Sequence, residues 1–369
     1  MNALCGCSGS STPPERSAHD DRSAANRAPA TTPARPEVPN TGSPLPPTTT
    51  ATPATVASPT APPGAVPPAT TTPTATTTAA HFPPPDITPP FERTAQPGDG
   101  QWRPMGESGE HALTTPPVLV QTVIHPHASA GFLELHVVAI DLSRVSLHHV
   151  AGTDDANVKR LPKTVQPGLV ESTQQNVLLA VFNGGFMAQH GAWGMMDAGV
   201  TLVPPRDIGC TVAMSDGVVR IAPWTSFAQE APRFEFFRQT PPCLLDRGEI
   251  PKSLLSGNDR MWGGKNFHEK TRRRSAVGLD ATGQVLLYAV GIEVEPVTLA
   301  RAMKIAGAEQ AAELDINWNW TRFLLFGNTP EDPSLRVTRT LLEGMPHNSH
   351  SYVGLAEARD FFYLTLKSQ

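Results

Sequence analysis

Cysteine, excess charge and long apolar runs are all scarce in this chain, and each shortage removes a class of explanation. Four cysteines in 369 residues are too few for a small disulfide-built scaffold, which needs several bridges to stand in for a core. A net charge of −5 gives no basic surface for a polyanion, so no nucleic acid partner is expected. No apolar run approaches the roughly 18 residues of a membrane-spanning helix. Histidines pair at His125-x-His127 and His148-His149, but neither pair has Cys or carboxylates at ligand spacing, so neither a metal site nor any cofactor is expected.

Proline, by contrast, is plentiful and unevenly spread. More than half of the 39 prolines fall in the first 100 residues, among Thr, Ala and Ser. Such a segment buries too little apolar surface to offset the entropy of ordering it. Residues from about Ser8 to Pro97 therefore read as a disordered, partly polyproline tether, giving a division into a tether over 1–97 and one domain over 111–369. Leu4-Cys5-Gly6-Cys7 has the order of a bacterial lipoprotein processing site, without the basic start and long apolar region of a signal peptide. Either the start lies upstream or the order is chance; in the first case a lipid anchor is the chain's one link to a membrane. Cys210 and Cys243 form an even pair in the domain, compatible with one disulfide in an oxidising compartment or with two separate thiols.

Within the domain the local signals are mostly those of strands. The runs 132–140, 177–182, 210–214 and 285–290 are short, apolar or β-branched, and bounded by turn formers. Ser215-Asp216-Gly217 and Asp280-Ala281-Thr282-Gly283 each separate two apolar runs, the pattern of antiparallel hairpins. One clear helix is expected from Val297 to Ala306, with Pro296 near its start and Gly307 after it. The next apolar run ends at Leu314 and delivers Asp315 to the edge of a sheet. These signals specify an α+β fold, a sheet-dominated single domain with a few helices.

Two strand ends stand out because polar residues follow an apolar run abruptly: Val181-Phe182-Asn183-Gly184-Gly185-Phe186 and Leu314-Asp315-Ile316-Asn317-Trp318-Asn319-Trp320-Thr321. The first block, the Arg274-Ser275-Ala276-Val277-Gly278 block and the helix leading to Leu314-Asp315 occur together in an order and spacing that resembles the phosphodiester glycosidase family, the group of the uncovering enzyme. The opening strand Val137 to Leu142 is similar as well, and the resemblance spans most of residues 132–326. Family members follow the aspartate with glycines and a serine, whereas here Ile316, Asn317 and Trp318 follow it. Ile and Trp enter positive φ reluctantly, so this loop is expected to take another shape, such as an aromatic platform for a sugar ring.

The resemblance implies hydrolysis of a glycosyl phosphodiester or a related bacterial glycan linkage, at the cell envelope in a periplasmic or extracellular location, by a monomer. Asp315 would be nucleophile, base or stabiliser of an oxocarbenium-like transition state, and Arg274 would hold phosphate oxygens through its planar fork. His190 is the proposed proton donor. Asn183 would hydrogen-bond substrate, Gly184 and Gly185 would allow close backbone approach, and Phe186, Asn317, Trp318 and Trp193 complete the substrate-binding set. Trp262 and Trp320 also sit in expected loops. Asp197, Asp246, Glu293 and Glu313 are candidates for a second carboxyl group. The alternatives are a tight turn for Asn183, a solvated charge run for Arg272 to Arg274, and a turn-capping carboxylate for Asp315. The alternative functions are a non-catalytic carbohydrate-binding module that keeps the fold but has lost activity with the glycine-rich loop, and a wall-spanning structural protein, which the tether alone suggests.

Overall fold

The computed structural model describes residues 81–154, 163–263, 272–329 and 332–368. Cys5, Cys7 and the tether as far as residue 80 lie outside the described residues. Among the described residues, sixteen strands form three sheets whose strand pairings are all antiparallel. The first has the order β1-β2-β3-β12-β11-β13, with β1 Arg103–Pro104, β2 Leu119–Ile124, β3 Leu135–Asp141, β11 Arg272–Asp280, β12 Val285–Val294 and β13 Ala308–Ile316. The second runs β15-β14-β5-β16-β4, with β4 Val145–Val150, β5 Leu178–Asn183, β14 Phe323–Thr329, β15 Asp332–Thr340 and β16 Phe361–Leu366. The third is β7-β6-β10-β8-β9, with β6 Met195–Asp197, β7 Val200–Val203, β8 Cys210–Ser215, β9 Val218–Pro223 and β10 Phe236–Thr240. The fold is thus the sheet-dominated α+β arrangement that the strand and turn signals specify.

Side-chain alternation divides the first sheet into two faces. Val277 and Leu279 of β11, Leu286, Tyr288 and Val290 of β12, and Ala312 and Leu314 of β13 enter a central core shared with residues of the other two sheets. Ala276, Leu287, Ala289 and Ala311 face the opposite way, against helix α2, Pro296–Ile305, and the single-turn α1, Lys252–Leu255. Helix α2 starts with Pro296 in its first turn, buries Leu299, Ala302 and Met303, and is followed by Gly307 at φ 94°, a conformation that suits glycine. Phe82, Ile87 and Trp102 pack onto this same helical side. Residues 81–105, mostly tether-like in composition, are thereby laid on the domain: Gly100 N–H donates to Val123 O at 2.9 Å and Trp102 N–H to Asp86 Oδ1 at 3.1 Å.

Cys210, at the start of β8, is bonded to Cys243 beyond the end of β10, which ties the third sheet to the segment leading toward α1. No helix among the described residues is long and apolar enough to cross a membrane.

Candidate functional site

The site begins with an irregularity in β13. Ala276 pairs with Glu313, but Arg274 pairs with Ile316, so Leu314 and Asp315 together stand opposite the single residue Ser275. Such a bulge re-aims the side chains that follow it. Strict alternation would send Glu313 and Asp315 to the same face. Instead Glu313 meets Arg274, and Asp315 turns to Arg359, just ahead of β16.

Asp315 is only 5% exposed. Its Oδ2 accepts from Arg359 Nη2 at 2.6 Å and its Oδ1 from the Ile316 N–H at 2.9 Å. Burial raises the carboxyl more than Arg359 and the Ile316 amide lower it, and Asp360 adds a further upward push, so it titrates at about 7. A carboxyl group that exchanges its proton near neutrality is suited to acid–base work.

Behind it lies a buried charge network. Arg238, fully enclosed, donates from Nε to Asp360 Oδ2 at 2.6 Å and from Nη2 to Asp360 Oδ1 at 3.2 Å, and also reaches Phe186 O. His149 Nε2 lies 3.2 Å from Asp360 Oδ2. Its Nδ1 is 3.4 Å from Asp197 Oδ2, within ion-pair range but too long for a well-formed hydrogen bond. Burial lowers the His149 imidazolium, yet the two aspartates outweigh burial and lift it to about 9. Burial likewise opposes ionisation of Asp360, but Arg238 and His149 together hold that carboxyl well below the usual range.

The Asn183-Gly184-Gly185 corner packs against this network. Gly184 N–H donates to Asp360 O at 3.0 Å and Gly184 O accepts from Asp315 N–H at 2.9 Å, while Gly185 N–H reaches Asp360 Oδ2 at 3.1 Å. A Cβ on Gly184 would lie 2.1 Å from Asp360 Oδ2, and one on Gly185 would lie 2.9 Å from Arg238 Cζ. The glycines therefore make room for protein charges. Asn183, 5% exposed, is the hub that joins three strands. Its amide nitrogen donates to Gly184 O at 3.1 Å and to Ser275 Oγ at 3.0 Å, and its Oδ1 accepts from Tyr288 OH and the Arg322 N–H, both at 3.1 Å. Ser275 Oγ in turn donates to Asp315 O at 3.0 Å.

The three consecutive arginines separate by strand alternation. Arg274 is fully buried on the helical side, where Nη1 donates to Glu313 Oε1 at 2.8 Å and to Trp262 O at 2.6 Å, and Nε to Val294 O at 3.0 Å. Burial pushes Glu313 up against the pull of Arg274, to about 7. Arg273 lies on the same face of β11 as Ser275, is 2% exposed, and has no carboxylate within ion-pair distance among the described residues. Its guanidinium lies 4.2 Å from the Trp318 ring centroid, and that of Arg359 lies 4.9 Å from the Trp320 centroid. The loop after Asp315 thus covers two arginines with two indoles. It turns at Asn317, whose φ of 84° is the left-handed conformation that asparagine tolerates better than most side chains.

The candidate residues divide accordingly. Asn183, Gly184 and Asp315 are joined by hydrogen bonds; Phe186, Trp193 and Ile316 form a small apolar cluster beside them. Trp193 and Trp262, 4% and 2% exposed, anchor loops. Arg274 keeps company with Glu313 on the far face, and His190 lies exposed in the one-turn 3₁₀ helix Ala188–His190. His125 is bonded to Asp99 at 2.7 Å and His148 is stacked on Tyr363 at 4.4 Å. In the sequence Arg273 stands out only as a member of the charge run Arg272 to Arg274, Arg359 and Asp360 only as a polar pair stopping against the apolar run Phe361 to Leu366, and Arg238 not at all.

No family model and no curated protein matches the chain. Among solved structures it is similar to the catalytic domain of zebrafish N-acetylglucosamine-1-phosphodiester alpha-N-acetylglucosaminidase, at 16% identity and a TM-score of 0.41, over 71% of this chain and 87% of that one. It is also similar to a hypothetical protein from Synechocystis, at 12% identity and a TM-score of 0.43, over 68% of this chain and 62% of that one. These are weak, fold-level similarities, one of them to a glycosidase catalytic domain.

Proposed function

We propose that the protein hydrolyses glycosyl phosphodiesters or related bacterial glycan linkages, with Asp315 as its acid–base group. The observation that carries this is the Asp315 carboxyl, turned out of register by a bulge, paired with Arg359 and raised to about 7. The three sequence blocks that resemble phosphodiester glycosidases give the reaction class. Ionised, Asp315 would attack or stabilise the oxocarbenium-like carbon; protonated, it would donate to the departing oxygen. A phosphate is already a good leaving group and places little demand on a second acid. Arg273, which has no carboxylate partner among the described residues, is the better candidate for a phosphate oxygen, since Arg274 is committed to Glu313 and two backbone carbonyls. The Cys210–Cys243 bridge supports an oxidising compartment, such as the outside of a cell envelope.

A second reading, a carbohydrate-binding module without turnover, is favoured by the way Asp315 Oδ1 caps the Ile316 N–H. Sugar release from glycosyl phosphodiesters and aryl glycosides by the full chain decides between them. The hydrolase reading expects Asp315→Asn to lower kcat/KM by about 10³-fold and the wild-type profile to bend near pH 7. Equal release by wild type and Asp315→Asn, or none by either with glycan binding retained, would refute it.

A further inference from the structure

We propose that Trp318, stacked on Arg273 in the loop that follows Asp315, is the floor of a pyranose-binding subsite, so that this corner takes a saccharide chain longer than one ring. Of the six tryptophans, Trp318 alone is exposed, at 49%. One of its faces is occupied, because the Arg273 guanidinium lies 4.2 Å from the ring centroid. The solvent-exposed area is therefore the opposite face and an edge.

The backbone that carries the ring is also held before any ligand arrives. Asn317 N–H donates to Arg273 O at 2.8 Å, Arg273 Nη1 lies 3.4 Å from Trp318 O, Asn317 Oδ1 accepts from Asn319 N–H at 3.0 Å, and Thr321 Oγ1 donates to Asn317 O at 2.9 Å. A surface fixed in this way loses little freedom on binding. Its chemistry is that of a flat apolar face between two amide-bearing residues of the chain, Asn317 and Asn319. A pyranose matches it, with axial C–H groups for the indole and equatorial hydroxyls for the amides. A protein partner would call for a contiguous apolar patch, and the residues on either side of Trp318 are both asparagines.

The subsite rests on the hydrolase reading only for which corner of the fold meets sugar, and its test needs no turnover. The full chain carrying Asp315→Asn, labelled at its indole nitrogens, would be titrated with cellotriose, maltotriose, mannotriose and chitotriose. The Trp318 NMR signal is identified by its loss in Trp318→Phe. At least one trisaccharide is expected to shift that signal, with Trp318→Ala weakening its binding about tenfold and Trp318→Phe largely restoring it. No shift of the Trp318 signal by any of the four, or equal binding by Trp318→Ala, overturns the proposal. A wild-type chain that binds a trisaccharide through Trp318 but releases no sugar supports the subsite and sinks only the hydrolase reading.

Discussion

His149 makes the stability of this fold depend on pH on the alkaline side of neutrality. The imidazole is enclosed between Asp197 and Asp360, against the rings of Phe236 and Phe362, with Arg238 on the far side of Asp360. Its folded value of about 9 stands above the ordinary 6.5, a difference of about 3 kcal/mol favouring the charged form. Because the folded value is the raised one, that contribution is fully present below pH 6.5 and is lost as pH climbs through about 9. In between, the slope is about 1.4 kcal/mol per pH unit. Asp315 and Glu313, both raised to about 7, are half-ionised there and complete most of their titration only by about pH 8, one unit higher, so the part of the window above that belongs to His149. Urea unfolding of wild type and His149→Gln at intervals from pH 6 to 9.5 would expose the effect. We expect both proteins to lose stability up to about pH 8 as Asp315 and Glu313 ionise, and wild type, which starts higher, to lose about 3 kcal/mol more than the variant across the whole range. Parallel curves for the two proteins between pH 7 and 9 would refute the reasoning.

Gly184→Ala should be among the most damaging small substitutions, since the new methyl would lie 2.1 Å from Asp360 Oδ2 and 2.8 Å from Asp360 O. Displacing the acid that holds Arg238 and His149 is expected to cost about 3 kcal/mol or more, and a melting shift of less than about 2 °C would contradict it. Reducing the Cys210–Cys243 bridge opens a closure of 33 residues, worth about 3–4 kcal/mol on the chain-entropy estimate. Comparing unfolding of the oxidised chain with that of Cys210→Ala/Cys243→Ala tests this, and equal stability would rule it out.

The strands, hairpins and α2 were legible because their signals are local: β-branched runs bounded by turn formers, and Leu299, Ala302 and Met303 at helical spacing. Asp315 was legible as the polar stop of an apolar strand. What the chain could not declare is which way neighbouring charges point. Arg272, Arg273 and Arg274 look equivalent in sequence, yet alternation sends Arg273 to the Ser275 side and buries Arg274 against Glu313. The bulge at Leu314-Asp315 is set by pairing with a strand more than thirty residues earlier in the chain, so no local pattern reveals it. Arg359 and Asp360 lie near the opposite end of the domain sequence from His149, and only the closing of the second sheet joins them. The first glycines after β5 illustrate the same limit: their spacing suggested room for a ligand, while their neighbours are Asp360 and Arg238.

The loop after Asp315 departs from the glycine-rich pattern that the surrounding blocks resemble, and its backbone explains how the fold accepts this. Within 315–321 a single residue, Asn317, has a positive φ. One left-handed residue is all that the turn requires, and an asparagine that also caps Asn319 N–H meets the requirement. Positions 318 and 320 are then free to carry large side chains, and both carry tryptophans that cover arginines, Trp318 over Arg273 and Trp320 over Arg359. Glycines at these positions would leave both guanidiniums open to solvent, with their charges screened by water. The indoles exclude that water and leave the cations less solvated, which strengthens any contact an incoming anion makes with them. The substituted loop is therefore compatible with the chemistry proposed for Asp315, because it replaces backbone freedom with a drier, more rigid surface around the same carboxyl group.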